Sequence, residues 1–463
     1  MHGRSSRCSN FRNHRDTTIV KKIYKALFLS KRFFQVLLGL IVLFIVSFFF
    51  ERLIDYLVIG FFILIGLLVV DLILIYGKSK GIKASRILPD KFSNGDENPV
   101  EIKAQNQYGF KTYLRIIDEL PIQFQKRDFK IETELKSGAM QTMMYTARPT
   151  ERGEFHFGSL NVFVKSGIGL TWRKYIFDHD AMVPNYPSFL QMRKYELMAF
   201  TNKLKDYGMK KIRRIGHTME FEQIKDYILG DDVRNINWKA TAKRNQLMIN
   251  QFQDEKSQPV YSVIDKGRVM KMPFEELKLV DYAINATLVI SNIALKKGDK
   301  AGMFSFSSRV DNQVMAQKRS SQMNLILETL YNLDTDFRES DFSRLYIDIK
   351  RKITQRSLLL LYTNFETLDA LHRQLPYLQA IAKNHLLVVI FFENTELSSM
   401  LKEKAETTQE IFTKTIAEKF AYEKKLIVNE LNKFGIQTIL TKPQELTVNT
   451  INKYLEIKAR GLL

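Results

Sequence analysis

Two apolar runs near the N-terminus decide the architecture of this chain: residues 33–50 read FFQVLLGLIVLFIVSFFF and residues 56–76 read YLVIGFFILIGLLVVDLILIY. The first run carries no charge, and only Asp71 interrupts the second. A helix of about 20 apolar residues crosses the hydrocarbon core of a bilayer. We therefore predict a two-helix transmembrane hairpin over residues 33–76. Asp71 lies about 7 Å along the helix from Tyr76, at a rise of about 1.5 Å per residue, so its carboxylate is expected to reach the interface.

Charges around the hairpin predict its orientation. Only residues 51–55 join the two runs, so both ends of the hairpin are expected on one side. Residues 1–86 hold 14 Lys and Arg against 4 Asp and Glu, which is +10 of the net charge of +20. Basic residues flank both ends of the hairpin: Lys21, Lys22, Lys25, Lys31 and Arg32 before it, and Lys78, Lys80, Lys83 and Arg86 after it. Lys and Arg concentrate on the cytoplasmic side of membranes.

The predicted protein is thus multi-pass in a bacterial inner (cytoplasmic) membrane, with both termini and its soluble domains in the cytoplasm. Residues 1–32 form a basic cytoplasmic arm. A cleavable signal peptide would have a shorter apolar core, nearer the N-terminus and followed by small residues. Two buried core helices of a soluble protein are the remaining alternative. The single cysteine, Cys8, allows no intramolecular disulfide, which fits a reducing compartment.

Residues 84–190 show the pattern of a strand-rich domain. Val100, Ile102 and Ala104 alternate with charged residues, and similar alternation occurs around residues 160–165. A period of two is typical of half-buried strands. Turn residues punctuate these short runs, and about a hundred residues of this kind is the size of an immunoglobulin-like β-sandwich. We therefore predict a β-sandwich domain.

Residues 259–463 alternate apolar strands with helical stretches. Strands are expected at residues 260–264, 301–306, 310–315, 358–362, 386–392 and 436–440, and helices at 274–295, 397–434 and 446–459. Continuous apolar strands separated by helices favour a mostly parallel sheet covered on both faces. Ligands in such folds bind at the carboxyl ends of strands. This directs attention to Asp265 and to Thr363 and Asn364.

Two sequence signatures of enzymes, a nucleotide-binding loop and a histidine metal site, are missing from the sequence. No Gly-x-x-x-x-Gly-Lys-Ser/Thr loop occurs, and the seven histidines never fall at metal-ligand spacing. We expect a protein without catalytic residues or a cofactor, and an enzyme with an unrecognised site is kept as an alternative.

The connecting segment, residues 191–258, holds the most unusual stretch: Gly230-Asp231-Asp232-Val233-Arg234-Asn235-Ile236-Asn237-Trp238. This phrase resembles the hallmark of the domain-of-unknown-function family 58, which precedes a von Willebrand factor A-like domain in that family. Further family phrases are matched by Arg152-Gly153-Glu154-Phe155, Gly169-Leu170, Gly298-Asp299-Lys300-Ala301-Gly302 and Tyr454-Leu455. The resemblance implies a von Willebrand A-like fold for residues 259–463.

The hallmark residues allow two interpretations. In the structural one, Gly230 supplies a turn, Asp231 or Asp232 accepts backbone N–H groups, Arg234 pairs with a carboxylate and Trp238 fills a domain junction. In the functional one, Arg234 and Trp238 contact a partner, since Arg and Trp are enriched at interface hot spots.

The von Willebrand A resemblance also implies a divalent-cation loop of the form Asp-x-Ser-x-Ser with a distant Thr and a later Asp. Here Asp265 is present, but Gly267 and Val269 replace the serines and Asn364 replaces the late Asp. Ser340 or Asp341 is expected to stand for the distant Thr. Mg²⁺ prefers about six oxygen ligands. We therefore predict a degenerate metal-ion-dependent adhesion site that holds Mg²⁺ at most weakly, flanked by the cations Lys266 and Arg268.

The resemblance implies a function as well, because such proteins look like companions of MoxR-type AAA+ ATPases. It indicates a membrane-anchored adaptor that contacts the ATPase during assembly or maturation of protein complexes. Nucleic-acid binding is the alternative, and it is prompted by nine basic residues: Lys203, Lys205, Lys210, Lys211, Arg213, Arg214, Lys239, Lys243 and Arg244. No recognition motif accompanies them, so no nucleic-acid partner is expected.

Overall fold

The computed structural model describes residues 26–50, 53–178, 180–200, 219–228, 231, 233–254, 257–274, 277–395, 397, 401 and 407–462. The chain divides into two compact units, Met1–Asn185 and Tyr186–Leu463.

The first unit begins with two apolar helices, α1 (Lys31–Ser47) and α2 (Leu53–Tyr76). The Ser30 hydroxyl caps α1 by accepting the Phe33 N–H at 3.3 Å. Among the described helices, only α2 is long and apolar enough to cross a membrane. At 17 residues, α1 is about 26 Å long, which falls short of a hydrocarbon core of about 30 Å. The predicted two-helix transmembrane hairpin is therefore not confirmed, because the first helix ends at Ser47 and not at Phe50.

Antiparallel strands follow, as the alternation of apolar and polar residues predicts. They are β1 (Leu27–Leu29), β2 (Ile82–Ile87), β3 (Phe92–Ser93), β4 (Asn98–Asn106), β5 (Thr112–Asp118), β6 (Ile131–Leu135), β7 (Met140–Ala147), β8 (Gly153–Phe157), β9 (Leu160–Lys165), β10 (Thr171–Phe177) and β11 (Ala181–Tyr186). They form sheets in the orders β1-β10-β9-β5-β6, β2-β4-β7 and β3-β11-β8. Ile102 and Ala104 of β4 pack in one core with Ile116 of β5 and Val162 of β9, so two sheets lie face to face.

Asp71 joins α2 to the sandwich. It is fully buried, and its carboxylate accepts hydrogen bonds from the Ser166 hydroxyl, the Leu170 N–H at 3.0 Å and both the N–H (2.7 Å) and hydroxyl (2.8 Å) of Thr171. The expectation that this carboxylate reaches the interface is wrong, because the β9–β10 turn supplies donors directly.

The second unit contains the parallel sheet. Its elements are α3 (Phe189–Phe200), β12 (Met219–Asp226), α4 (Trp238–Arg244), β13 (Met248–Asp254), β14 (Pro259–Asp265), β15 (Pro273–Phe274), β16 (Leu277–Lys278), α5 (Leu279–Lys296), β17 (Lys300–Phe306), β18 (Val310–Gln317), α6 (Gln322–Tyr331), α7 (Phe342–Lys352), β19 (Leu358–Tyr362), α8 (Leu368–Asn384), β20 (Leu386–Phe392), α9 (Thr408–Lys433), β21 (Gln437–Thr441) and α10 (Leu446–Ala459).

The large sheet has the order β18-β17-β14-β19-β20-β21, in which β18 alone pairs antiparallel. Side chains of β14 alternate between two cores: Val260 and Ile264 face one, while Tyr261 and Val263 face the other. Helices cover both faces, as the continuous apolar strands predict. Phe274, Leu277 and Lys278 were expected within a helix, but they lie in the short strands β15 and β16, which pair antiparallel.

Candidate functional site

The carboxyl ends of β14 and β19 place Asp265 beside Thr363, because these parallel strands are neighbours in register. Asp265 is 1% exposed. Its carboxylate accepts the Gly267 N–H at 2.9 Å, the Thr363 hydroxyl at 2.7 Å and the Ser340 hydroxyl. Burial raises the pKa of Asp265, and these three hydrogen bonds oppose that rise. Both oxygens of the carboxylate are thus engaged by protein donors.

Gly267 has a steric role in this network. A Cβ at Gly267 would lie 2.1 Å from the Ser340 hydroxyl oxygen and 3.1 Å from Asp265 Oδ1. The Ser340 hydroxyl therefore occupies the space that a serine at position 267 would need. Of the two residues expected to stand for the distant Thr, Ser340 is the one that contacts Asp265. Asp341, its alternative, instead caps α7 by accepting the Ser343 N–H at 2.9 Å and the Arg344 N–H at 3.1 Å.

Lys266, Arg268 and Val269, the other residues of the loop, do not contact the Asp265 carboxylate in the hydrogen bonds described above. Val269 packs against the hydrophobic core. Lys266 forms ion pairs with Asp311 at 2.6 Å and Asp336 at 3.3 Å, so its charge is neutralised within the protein. Arg268 is exposed. Of the two predicted flanking cations, Lys266 is therefore committed to structural carboxylates.

Asn364 contacts a lysine that sequence reasoning missed. The Lys424 ammonium, on α9, donates to Asn364 Oδ1 at 2.6 Å and to the Phe365 carbonyl oxygen. Burial lowers the pKa of Lys424 to about 8, with the nearby Glu366 carboxylate opposing that shift. In the sequence, Lys424 is one of many charges on an amphipathic helix, so no local signal identifies it.

These residues do not fit a Mg²⁺ site. Mg²⁺ needs about six oxygen ligands in octahedral order, whereas the oxygens of Asp265 already accept three protein hydrogen bonds. The Lys424 ammonium donates a hydrogen bond to Asn364 Oδ1, the oxygen that would stand in for a carboxylate oxygen of the late aspartate. Within the described residues, no group of three or more His, Cys, Asp or Glu side chains could hold a metal ion.

The hallmark segment agrees with its structural interpretation at Asp231 and differs from it at Trp238. Asp231 accepts the Ile228 N–H and the Lys225 ammonium, each at 3.2 Å, which lowers its pKa, chiefly through the backbone hydrogen bond. Trp238 begins α4 and is 70% exposed. The expectation that Trp238 fills a junction is therefore wrong. Arg234 is exposed on the turn before α4.

Several predicted residues lie outside the described part of the chain. They are Gly230 and Asp232 of the hallmark, residues 1–25 of the predicted basic arm, which include Lys21, Lys22 and Lys25, and the basic residues Lys203, Lys205, Lys210, Lys211, Arg213 and Arg214. Lys239, Lys243 and Arg244 are described, and they lie exposed on α4.

One serine pattern also needed the structure for its interpretation. Residues 77–81 have the letters Gly-x-Ser-x-Gly of a nucleophile elbow. That elbow turns from a strand into a helix, whereas residues 77–81 run from α2 into β2. The chain direction is reversed, so the pattern carries no hydrolase chemistry.

A cavity of about 690 Å³ opens beside Asn364 and Lys424. Its wall combines apolar residues from the loop before α5, the ends of β20 and β21 and one face of α9. The lining includes Met272, Phe274, Leu279, Phe392, Leu397, Leu401, Phe420 and Leu440, with Glu366, Glu393 and Lys425 among the polar members. An apolar cavity with a few polar groups is typical of a binding site.

Comparison with known proteins supports the family resemblance. Residues 223–403 match the model of the family described as protein of unknown function DUF58. The uncharacterized protein YeaD of Bacillus subtilis (strain 168) is 29% identical over 164 residues, which cover 35% of this chain. The chain spans 39% of the length of that relative. The predicted resemblance to family 58 is confirmed for the matched segment.

Solved structures with similar parts are more distant. The VWA domain of SpRpn10 aligns with 42% of this chain and 95% of its own length, at 10% identity and a TM-score of 0.28. The PapD-like domain 7 of human CEP192 aligns with 23% of this chain and 86% of its own length, at 12% identity and a TM-score of 0.18.

Proposed function

This chain carries a DUF58 segment over residues 223–403, and from that premise we propose that it is a membrane-anchored, cytoplasm-facing adaptor for protein partners. The partner we propose is a MoxR-type AAA+ ATPase that acts in assembly or maturation of protein complexes. The exposure of Trp238 is the observation that carries the proposal. A large aromatic side chain in the family hallmark, 70% exposed to water, suits a partner contact better than a role in packing.

Exposed apolar residues near Trp238 support this surface. Ile228 is 64%, Val233 62% and Leu247 47% exposed. The Tyr227 N–H donates to the Leu247 carbonyl at 2.8 Å, and the Asn237 N–H donates to the Met248 carbonyl at 2.9 Å. These backbone contacts bring the two ends of the hallmark segment together. Exposed apolar side chains that lie close together are typical of protein interaction sites.

The membrane anchor in this proposal rests on α2. Its 24 residues have a mean hydropathy of 3.1 in the most apolar window, of which 17% is buried. Ile59, Phe62 and Ile73 are each more than half exposed. A helix with such a surface would be costly in water and is suited to lipid.

Trp238→Ala is the experiment that tests the adaptor proposal. Because the side chain is exposed, the substitution should change the free energy of unfolding by less than about 1 kcal/mol. The variant, purified from membranes in detergent, should lose the AAA+ ATPase that co-purifies with the wild-type chain, as mass spectrometry would detect. Phe337→Ala, at a residue 73% exposed, is the matched control and should retain it. An ATPase recovered equally with Trp238→Ala would contradict the proposed surface.

A second prediction concerns the number of membrane crossings. A reporter enzyme active only in the periplasm, fused after Lys83, should be inactive if α1 and α2 both cross and return the chain to the cytoplasm. The same reporter fused after residue 52 should be active. Activity after Lys83 would mean that α2 crosses alone, and the soluble units would then face away from any cytoplasmic ATPase.

A further inference from the structure

We infer that one face of α9, together with the cavity beside it, binds the apolar C-terminal segment of a partner protein, whose terminal carboxylate meets Lys424. We call this surface the α9 groove, and its four defining residues are Phe412, Ile416, Phe420 and Lys424. The inference deepens the adaptor proposal, because it names the chemistry of a protein partner.

The spacing of the four residues places them on one face of the helix. They are separated by four positions each, and residues i and i+4 are neighbours on a helix surface. Phe412 is 69%, Ile416 40% and Phe420 40% exposed. Phe420 also lines the cavity, as does Lys424. An exposed apolar stripe therefore leads into a partly open, mostly apolar cavity.

The cavity has the capacity for a ligand. Its volume of about 690 Å³ lies within the range of about 300–1,000 Å³ that is usual for ligand sites. Phe274, Phe392 and Leu440 contribute apolar surface to it. Burial of an apolar side chain against such a wall is favourable, because it removes apolar surface from water.

The Lys424 ammonium, at the inner end of the groove, has three N–H donors and two hydrogen-bond acceptors among the described residues. Its two acceptors, Asn364 Oδ1 and the Phe365 carbonyl oxygen, are both uncharged. Among the described residues, the Glu366 carboxylate is near enough to favour the charged ammonium, but the side-chain contacts of the ammonium are the amide and carbonyl oxygens and not a carboxylate. A desolvated charge is costly unless an opposite charge accompanies it. A ligand carboxylate would supply that charge and the third acceptor.

The dimensions and polar rim of the groove favour a peptide over a fatty acid. From residue 412 to residue 424 the helix rises about 18 Å, at about 1.5 Å per residue, which is the length of five or six extended residues at about 3.3 Å each. Glu366 and Glu393 line the cavity and offer acceptors. Peptide N–H groups can donate to these carboxylates, whereas an acyl chain has no donor.

The experiment measures fluorescence anisotropy of a dye-labelled hexapeptide, Ser-Leu-Ala-Leu-Ala-Leu, against the full chain in nanodiscs. The peptide with a free C-terminal carboxylate should bind at least tenfold more tightly than its C-terminal amide. Lys424→Met should abolish this preference, and Lys419→Met, at an exposed lysine of α9 that does not line the cavity, should retain it. Phe412→Ser should weaken both peptides, whereas Tyr422→Ser, at a residue 61% exposed on another face of α9, should weaken neither.

Asn364→Asp keeps the inference testable if Lys424→Met does not fold. It places a carboxylate at the position of the present amide oxygen, 2.6 Å from the ammonium, so the preference for the free carboxylate should again be lost. Equal binding of both peptides by the wild-type chain would overturn the role of Lys424, and binding of neither would overturn the groove. Competition in which decanoate displaces the peptide more effectively than unlabelled peptide does would overturn the peptide assignment.

The two proposals fail separately. Peptide binding that persists in Trp238→Ala, in the absence of any co-purifying ATPase, would support the groove and contradict only the ATPase partner. Loss of the carboxylate preference in Lys424→Met with the ATPase still bound would support a groove for a different protein.

Discussion

Asp71→Ala should lower the free energy of unfolding of the detergent-solubilised chain by about 3–5 kcal/mol. The carboxylate accepts four hydrogen bonds inside the first unit. Removing it leaves the Leu170 and Thr171 N–H groups buried without an acceptor, and each such group costs about 1–3 kcal/mol. Thermal unfolding followed by circular dichroism, combined with chemical denaturation, measures the change.

Two controls separate this hydrogen bonding from a general effect of charge in α2. Asp55→Ala removes an exposed carboxylate from the first turn of the same helix, and it should change stability by less than about 0.5 kcal/mol. Asp71→Asn retains one acceptor oxygen and should lose less than Asp71→Ala. An unchanged unfolding temperature in Asp71→Ala would show that the β9–β10 turn does not depend on this carboxylate.

Asp265→Ala should lower the free energy of unfolding by about 2–4 kcal/mol, to the same extent in EDTA and in millimolar Mg²⁺. The loss comes from three protein donors, the Gly267 N–H and the Ser340 and Thr363 hydroxyls, which would lose their shared acceptor. The wild-type chain should show no Mg²⁺- or Mn²⁺-dependent shift in unfolding temperature. A metal at 100 times its dissociation constant would add about 2.7 kcal/mol, so binding would be visible.

Glu339→Ala is the matched control, because it removes an exposed carboxylate next to Ser340. It should leave stability within about 0.5 kcal/mol of the wild-type value. A rise in unfolding temperature with Mg²⁺ in the wild-type chain that Asp265→Ala abolishes would mean that the loop binds metal. Partner recognition through a bridging cation would then replace the hydrogen-bonded network.

Burial also predicts how pH acts at Asp265. Because the pKa of Asp265 is raised in the folded state, the folded chain holds this proton to a higher pH than the unfolded chain does. The contribution of the group to stability therefore falls as pH rises from about 3.9, the unfolded pKa, through the folded pKa. Asp265→Asn, which cannot ionise, should remove this part of the pH dependence of unfolding.

Strand positions in the second unit were predictable from local pattern alone. The apolar runs at residues 358–362 and 386–392 match β19 and β20, and the expected helix at 446–459 matches α10. Fully apolar runs of five to seven residues leave few alternatives to a buried parallel strand. The starts of two expected helices were less exact. Phe274 lies in β15, and α9 begins at Thr408, where the Thr407 hydroxyl accepts the Glu410 N–H. Most of residues 397–406, the expected start of that second helix, lie outside the described part of the chain.

The apolar helices, the strand-rich domain, the parallel sheet and the family resemblance could all be predicted from the sequence, because each depends on periodicity or on a contiguous phrase. The contacts between distant side chains depend instead on how the elements pack. Ser340 reaches Asp265 across 75 positions, Thr171 reaches Asp71 across 100, and Lys424 reaches Asn364 across 60. A buried polar group forms hydrogen bonds with the partners that packing places next to it. These partners are distant in sequence, so no local pattern identifies them.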